Sequence, residues 1–510
     1  MRCLLLALML LPGALYAQEI RVGSKPFPEG RILGEILTQR MESAGAVVKH
    51  EVGLGGTGVI WQALLEGEIQ VYAEYTGTLQ RECYATENPA DFEATKQLMQ
   101  RDGVVVVARL GFQNTYALGM KETEADRLGI KTISDLIQHP DLALGFSNEF
   151  MQRADCWPGL KERYNLPHTD ATGMQHELAY EALDAGKIDV TDLYSTDASI
   201  EELKLRTLED DLGFFPDYSA VIVARADFVL RHPELFAALT RLEDLINEEQ
   251  MTAMNASVVV DKNPETIVAR NFLSSLQEVE KGGEALTGDD IRAQGKRELG
   301  DRIDDALAEL PRLSFEHLAM VLLSLVAGML VAIPLGIVAH RKPRIGQVIL
   351  GGAGILQTVP SIALLVLLIP LVGIGWWPAV IALFLYSLLP IIRNTHAGLK
   401  SIDPALLESA DALGLTRAAR LRLIEIPLAG RSVLAGIKIA AVINVGTATL
   451  GGFIGAGGYG EAIFAGISRQ DNVQILSGAV PAALLALILQ GMFELTERVV
   501  VPRGLRLQRQ

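Results

Sequence analysis

Side chains able to do covalent chemistry are present, but not in the spacings such chemistry needs. Lys25, Glu29 and Glu74 supply a base, an acid and a charge partner, yet nothing in their spacing requires a catalytic set. The eight histidines form no ligand-spaced cluster, and neither H-E-x-x-H nor G-x-S-x-G occurs. The two Gly-Lys pairs, Gly186-Lys187 and Gly295-Lys296, are not followed by Ser or Thr, so the chain has no P-loop for a nucleotide. Cys83 and Cys156 lack the C-x-x-C partners of a metal site; a disulfide between them and two free thiols are both compatible with the spacing. No cofactor and no metal are expected. What is left is non-covalent chemistry.

The 510 residues carry a net charge of −16, with 49% hydrophobic residues and a mean hydropathy of +0.27. That length implies at least two domains, and the charge is unevenly divided. From Ser314 onward there are 15 basic and 9 acidic residues; the rest of the chain has 30 and 52. An acidic front half excludes nucleic acid as a partner, because phosphates need a basic face. Arg2, the apolar run Leu4 to Leu11, the break at Pro12-Gly13 and the small Ala17 read as a secretory leader over 1–17. The expected organisation is an exported domain over 18–278, a linker over 279–313 and a membrane domain over 314–510. Helical periodicity in Ile291 to Leu310 marks part of the linker as a helix.

Leu318 to Ala339, Ile345 to Ile392, Ile439 to Gly460 and Val473 to Phe493 carry no charge. A bilayer core of ~30 Å needs ~20 apolar residues per helix, so the second stretch holds two passes. Five spans are expected, near 318–340, 346–373, 376–393, 433–456 and 473–495. Basic clusters at Arg341, Lys342 and Arg344, at Lys400 to Arg431, and at Arg498 to Arg509 place those three segments in the cytoplasm. An exported front half then requires an odd number of passes, which five satisfies.

The cytoplasmic loop reads Glu408-Ser-Ala-Asp-Ala-Leu-Gly414 and continues to Ile424-Glu-Ile-Pro427. Asp403-Pro404 opens its first helix and Gly414 ends or bends it. Ala410 and Gly414 lie four apart on one face, which permits close approach of another surface. The loop resembles the coupling loop of ABC importer permeases: Glu408, Ala410, Gly414, Ile424 and Pro427 fall on the pattern, with Ser409 and Ile426 as mild departures. Ile355 to Ser361, Leu388 to Thr395 and Gly452 to Gly460 resemble permeases of the glycine betaine/choline osmoprotectant uptake family. The resemblance implies a homodimer in the membrane and a separate ATPase subunit acting on this loop.

The exported half alternates strand and helix patterns: strands at Ile20 to Gly23, Val47 to Val52, Val71 to Tyr75 and Val104 to Arg109, and helices at Glu29 to Ser43 and Val59 to Leu65. This predicts a two-lobed α/β domain. Gly23 to Gly30, Glu74 to Thr78, Asn114 to Ala117, Tyr194 to Asp197 and Phe215 to Tyr218 resemble the binding proteins of quaternary-ammonium ABC importers, which implies a type II periplasmic-binding-protein-like fold. The resemblance places an aromatic cage at Tyr75, Tyr116, Tyr194 and Tyr218, a polar contact at Thr78, and a carboxylate-binding arginine at Arg153. Tyr72, Tyr84, Tyr164 and Tyr180 stay core or surface residues.

The chemistry suits a trimethylammonium group, which has a full charge and no N–H donor. Aromatic faces attract it without the desolvation cost of a buried carboxylate, at ~0.5–2 kcal/mol per ring. Gly30, where the family has glutamine, leaves space for a larger cation, and Cys156 stands where the family commonly has glycine. The ligands left open are glycine betaine, choline, carnitine, proline betaine and a larger compound such as ergothioneine. A ligand-gated receptor or channel is the competing class; the Glu408–Pro427 loop argues against it, because a channel needs no ATPase contact.

Overall fold

The computed structural model describes residues 19–280, 287–293 and 295–500. The leader at 1–17, the Gly282-Gly283 pair and the basic residues beyond 500 lie outside the described residues. The chain divides into two compact units: Met1–Arg297 with Ser468–Gln470, and Glu298–Ile467 with Asp471–Gln510.

Among its described residues the first unit has ten strands: β1 (Ile20–Gly23), β2 (Val48–Glu51), β3 (Val71–Tyr75), β4 (Val104–Gln113), β5 (Tyr116–Lys121), β6 (Gly145–Ser147), β7 (Thr172–Met174), β8 (Thr191–Tyr194), β9 (Leu205–Leu208) and β10 (Ser219–Arg225). One sheet has the order β2-β1-β3-β10-β4, with β1 parallel to both neighbours and β10 antiparallel to β3 and β4. Helix Pro28–Ser43 covers it. Pro28 fixes the first turn, and Ile32, Leu33, Ile36 and Leu37 form its buried stripe. A second sheet has the antiparallel order β8-β5-β9, and the parallel pair β6-β7 joins it through a bridge between Leu144 and Val190.

These are two lobes of a type II periplasmic-binding-protein-like domain. The chain crosses between them after β4 and again before β10. The two crossings lie side by side, with the Asn114 N–H donating to the Tyr218 carbonyl at 3.1 Å. Two strands of chain held together give a hinge that bends as one piece.

The second unit is helical. Helices Leu299–Arg341, Trp376–Lys400, Arg417–Ile454 and Asn472–Glu497 are each long and apolar enough to cross a membrane. Pro343–Thr358 and Ser361–Val372 form a fifth candidate, bent by 99°. Pro360 sits in that break, lacking the N–H that a continuous helix would use. The segment 279–313 is divided: Gly288–Arg292 is a short helix, and residues from Leu299 run without a break into the first long helix.

Helix direction shows what the bent pair does. Gly328 faces Ser387, and Gly336, two turns on, faces Thr395. The first long helix and Trp376–Lys400 therefore run parallel, so the bent pair must return the chain across the same thickness. Gly398 meets Ser432 while Gly436 meets Asn394, which makes the next helix antiparallel. Arg431–Glu497 and Lys438–Glu494, each at 3.0 Å, make the last one antiparallel again. The end of the first helix, the 401–425 loop and the end of the last helix consequently share one side. Arg341 reaches the Arg417 carbonyl at 3.4 Å across that side.

The parallel pair depends on absent side chains. A Cβ at Gly328 would lie 2.1 Å from Ser387 Oγ, and one at Gly336 would lie 2.6 Å from Thr395 Cβ. Close approach of this kind is a common basis of helix association in lipid. Gly328→Leu and Gly336→Leu are expected to lower the melting temperature of the detergent-solubilised chain, since overpacking costs ~1–3 kcal/mol. Gly491→Leu, which has open space around it, is expected to leave that temperature unchanged.

Candidate ligand-binding site

Between the lobes lies a cavity lined by Lys25, Phe27, Tyr75, Thr78, Asn114, Tyr116, Glu149, Arg153, Tyr194 and Tyr218. About 290 Å³ of space, part of it open to solvent, lies between these side chains. All six ligand residues expected from the sequence line it. They come from separate elements: Tyr75 ends β3, Thr78 follows it, Tyr116 opens β5, Arg153 follows the short helix Asn148–Gln152, Tyr194 ends β8, and Tyr218 sits in the second crossing. Strand ends gather there because a sheet aims its loops at the cleft.

The rings form a connected series. Phe27 lies 6.4 Å from Tyr75 and 5.5 Å from Tyr194; Tyr194 lies 5.1 Å from Tyr116, which lies 5.5 Å from Tyr218. Five rings thus wrap the cavity, one more than the sequence reading assigned. Each is at most partly exposed, and Tyr218 is only 1% exposed.

The two cationic groups around the rings are paired. Lys25 donates to Glu74 Oε1 at 2.7 Å and lies over the Tyr75 ring at 5.6 Å. Arg153 binds Asp155 with two bonds, Nε at 2.9 Å and Nη2 at 2.6 Å, and lies over the Tyr116 ring at 5.6 Å. The Tyr218 hydroxyl donates to Asp155 at 2.7 Å. Burial raises the Asp155 carboxyl, but the Arg153 and Tyr218 bonds outweigh it and hold it below the ordinary carboxylate range. Nε and Nη2 of Arg153 are thus both engaged by Asp155.

Behind Tyr75 sits Glu29, only 2% exposed. Its carboxylate accepts from the Tyr75 hydroxyl at 2.5 Å, Asn114 at 2.8 Å, Thr196 at 2.5 Å and Asn255 at 3.0 Å. Burial raises its pKa despite those four donors. Lys25, Glu29 and Glu74 therefore serve the cavity walls, as charge partners and anchors. Phe27, Lys25, Asn114 and Glu149 were not assigned as ligand residues from the sequence, although the first three lie within motifs quoted for the resemblance and Glu149 is four residues before Arg153.

The expected space at Gly30 is absent. A Cβ there would lie 3.1 Å from Lys25 Cβ and 3.2 Å from its carbonyl, so Lys25 closes the gap. Cys83 and Cys156 are both free thiols. Tyr72, Tyr84, Tyr164 and Tyr180 donate to Glu74, Asp102, Asp210 and Asp197, and none lines the cavity.

In the membrane unit, Asp403 caps helix Pro404–Ala412, and Gly414 turns the chain at φ +74°. Arg420 clamps the two arms, binding Asp411 at 2.7 Å and Glu425 at 2.8 Å. Ala410 is buried in the turn, and Ile426 and Pro427 open the next helix. Glu408 is exposed on the outer face.

Residues 18–275, just over half the chain, match the substrate-binding domain of ABC-type glycine betaine transport systems. Residues 325–503 match the inner membrane component of binding-protein-dependent transport systems. The chain belongs to the ABC-type glycine betaine transport family. It fuses the substrate-binding domain and the permease of an ABC importer, and is a multi-pass membrane transporter subunit rather than an enzyme.

Relatives in this family include the choline transport permease OpuBB of Bacillus subtilis, 41% identical over 198 residues, which cover 39% of this chain and 91% of that one. The glycine betaine/carnitine/choline permease OpuCB of the same organism is 44% identical over 191 residues, covering 38% and 88%. The ergothioneine transport permease/binding protein EgtU of Helicobacter pylori is 37% identical over 278 residues, covering 53% of this chain and 50% of that one.

One wall of the cavity should respond to pH. His176 stacks on Tyr194 at 4.4 Å and contacts Asp197 at 2.9 Å and Asp192 at 3.3 Å. Burial pulls the imidazole down, but the two carboxylates outweigh it and raise it well above the ordinary 6.5. A raised histidine stabilises the fold fully below 6.5 and loses that contribution as pH climbs through the raised value. Calorimetric melting of the binding domain is expected to weaken above about pH 6.5, by up to ~1.4 kcal/mol per pH unit. In His176→Gln that slope should flatten and stability at about pH 6 should fall.

Proposed function

We propose that the chain captures a small quaternary ammonium solute of the betaine or choline class on the outer side of the membrane and passes it inward. Five connected rings around a cavity whose cationic neighbours are already paired carry this reading. The rings present π-faces to a cation, and the paired charges leave no unpaired cation to repel it. Arg153 suits the carboxylate of a betaine.

Power comes from separate ATPase subunits pressing on the Glu408–Pro427 loop, with two copies of this chain forming one pathway. The shared side of Arg341 and the basic 401–425 loop supports a cytoplasmic loop and an exported binding domain. A second reading rests on a specific feature. Asn114 Oδ1 is buried without a hydrogen-bond partner, and Glu149 also faces the cavity. A trimethylammonium group cannot donate to these acceptors, whereas a ligand with ring N–H groups, as in ergothioneine, does.

The test is calorimetric titration of the solubilised full chain with glycine betaine, choline and ergothioneine in parallel. Glycine betaine or choline should bind at micromolar strength, and Tyr194→Ala should weaken that by about tenfold or more, ~1.4 kcal/mol. Binding of ergothioneine alone would move the assignment to the second reading, and binding of none of the three would refute the solute class. For the loop, Gly414→Val forces a β-branched residue into a left-handed turn. With the partner ATPase present, it is expected to abolish uptake while ligand affinity stays unchanged.

A further inference from the structure

The cleft between the lobes is bridged by two carboxylates, one offered from each side. Glu149 belongs to the second lobe, in the turn of helix after β6. Its Oε1 accepts the Thr57 backbone N–H at 3.0 Å and the Thr57 hydroxyl at 3.3 Å. Thr57 is the first residue of helix Thr57–Glu66 in the first lobe. Gly56 permits the approach, since a Cβ there would lie 3.0 Å from the same oxygen. In the opposite sense, Glu29 of the first lobe accepts from the hydroxyl of Thr196, which follows β8 in the second. Asn255 of the first lobe reinforces this bond by donating to the Thr196 carbonyl at 2.9 Å. Between the two bridges, Phe27 of the first lobe meets Tyr194 of the second.

We propose that Glu149 and Glu29 are reciprocal latches that hold the two lobes closed over the ligand, and that Glu149 ties closure to occupancy because it also lines the cavity. The proposal rests on the cavity being the ligand site. The two latches differ in what opening leaves behind. Opening strips Glu149 of both Thr57 donors. Glu29 loses Thr196 but keeps Tyr75, Asn114 and Asn255, all on the first lobe or the crossing. Glu149 is therefore the bridge that closure itself completes, and the carboxylate that Thr57 binds is the same one that faces an arriving cation. Glu29 is a positioning residue as well, because it holds the Tyr75 hydroxyl in the closed cage.

The latches should act on the rate of release more than on the rate of capture, since contacts made after encounter set how long a complex lasts. The variants are Glu149→Ala and Thr196→Val, alone and together. Thr196→Val keeps shape, and it spares Glu29, whose removal would leave buried donors unsatisfied. Spin labels on cysteines placed at the exposed positions Gln62 and Glu162, one per lobe, report the opening of the cleft in the full chain in nanodiscs. Melting temperature serves as the folding control.

With saturating glycine betaine or choline, the unaltered latches should give one short inter-label distance. Each variant should add a longer one and speed ligand dissociation by about tenfold, with association within about twofold. An unchanged distance distribution would overturn the proposal, even if affinity fell, because Glu149 would then be a ligand contact only. If neither solute binds the unaltered protein, the solute assignment fails, and the latches are judged on the ligand-free protein. Longer distances in the variants would still support them, and identical ones would overturn them.

Discussion

A cage of rings can face a cation only if the charges around it are already answered. That constraint organises the binding domain. Lys25 and Arg153 both lie over cage rings, where each would otherwise repel an incoming cation. Glu74 and Asp155 neutralise them at 2.7 Å and 2.6 Å. Buried pairs of this kind contribute little net stability, because desolvation offsets their attraction. Their use here is positional. Asp155 also receives the Tyr218 hydroxyl, so one carboxylate sets the cation and the ring together. Glu29 sets the Tyr75 ring by accepting its hydroxyl, and is itself held by Asn114, Thr196 and Asn255.

The membrane domain answers a different constraint with different residues. Lipid supplies no hydrophobic drive between helices, so contact depends on how closely backbones approach. Gly328 and Gly336 let the first long helix lie directly on Ser387 and Thr395. That pairing is parallel, and parallel neighbours force the intervening chain to cross back. The bend at Pro360 therefore sits within a return pass, and the coupling loop is left on the same side as Arg341. In the loop, Arg420 ties the helix Pro404–Ala412 to the segment that leads into Ile426, through Asp411 and Glu425.

Much of this was legible from residue order. The strand expected at Val71 to Tyr75 formed with those bounds, and the helix expected over Glu29 to Ser43 formed one residue longer, because Pro28 takes its first turn. The charge-free stretches gave the passes, since these patterns are all local. The cage was legible only through resemblance, since no local rule separates Tyr116, which faces the cavity, from Tyr180, which binds Asp197. Phe27, Lys25, Asn114 and Glu149 escaped because lining a cavity is a property of the whole topology: Glu149 meets Thr57 only after the second lobe has folded over the first. Gly30 misled for a related reason. A missing side chain leaves space only if nothing moves in, and Lys25 does.

Closure and affinity draw on the same energy. A micromolar dissociation constant corresponds to ~8 kcal/mol, and rings at ~0.5–2 kcal/mol each supply only part of it. Any energy the ligand spends on closing the lobes is lost from its apparent affinity, in proportion to how rarely the closed form exists unaided. Contacts made by the protein to itself across the cleft lower that cost, because they favour the closed form before the ligand is counted. They cannot be made indefinitely strong, since a transporter must also let go. A few hydrogen bonds to two carboxylates, each worth ~1.5–3 kcal/mol at most, fall in a range that a conformational push from a partner protein can reverse.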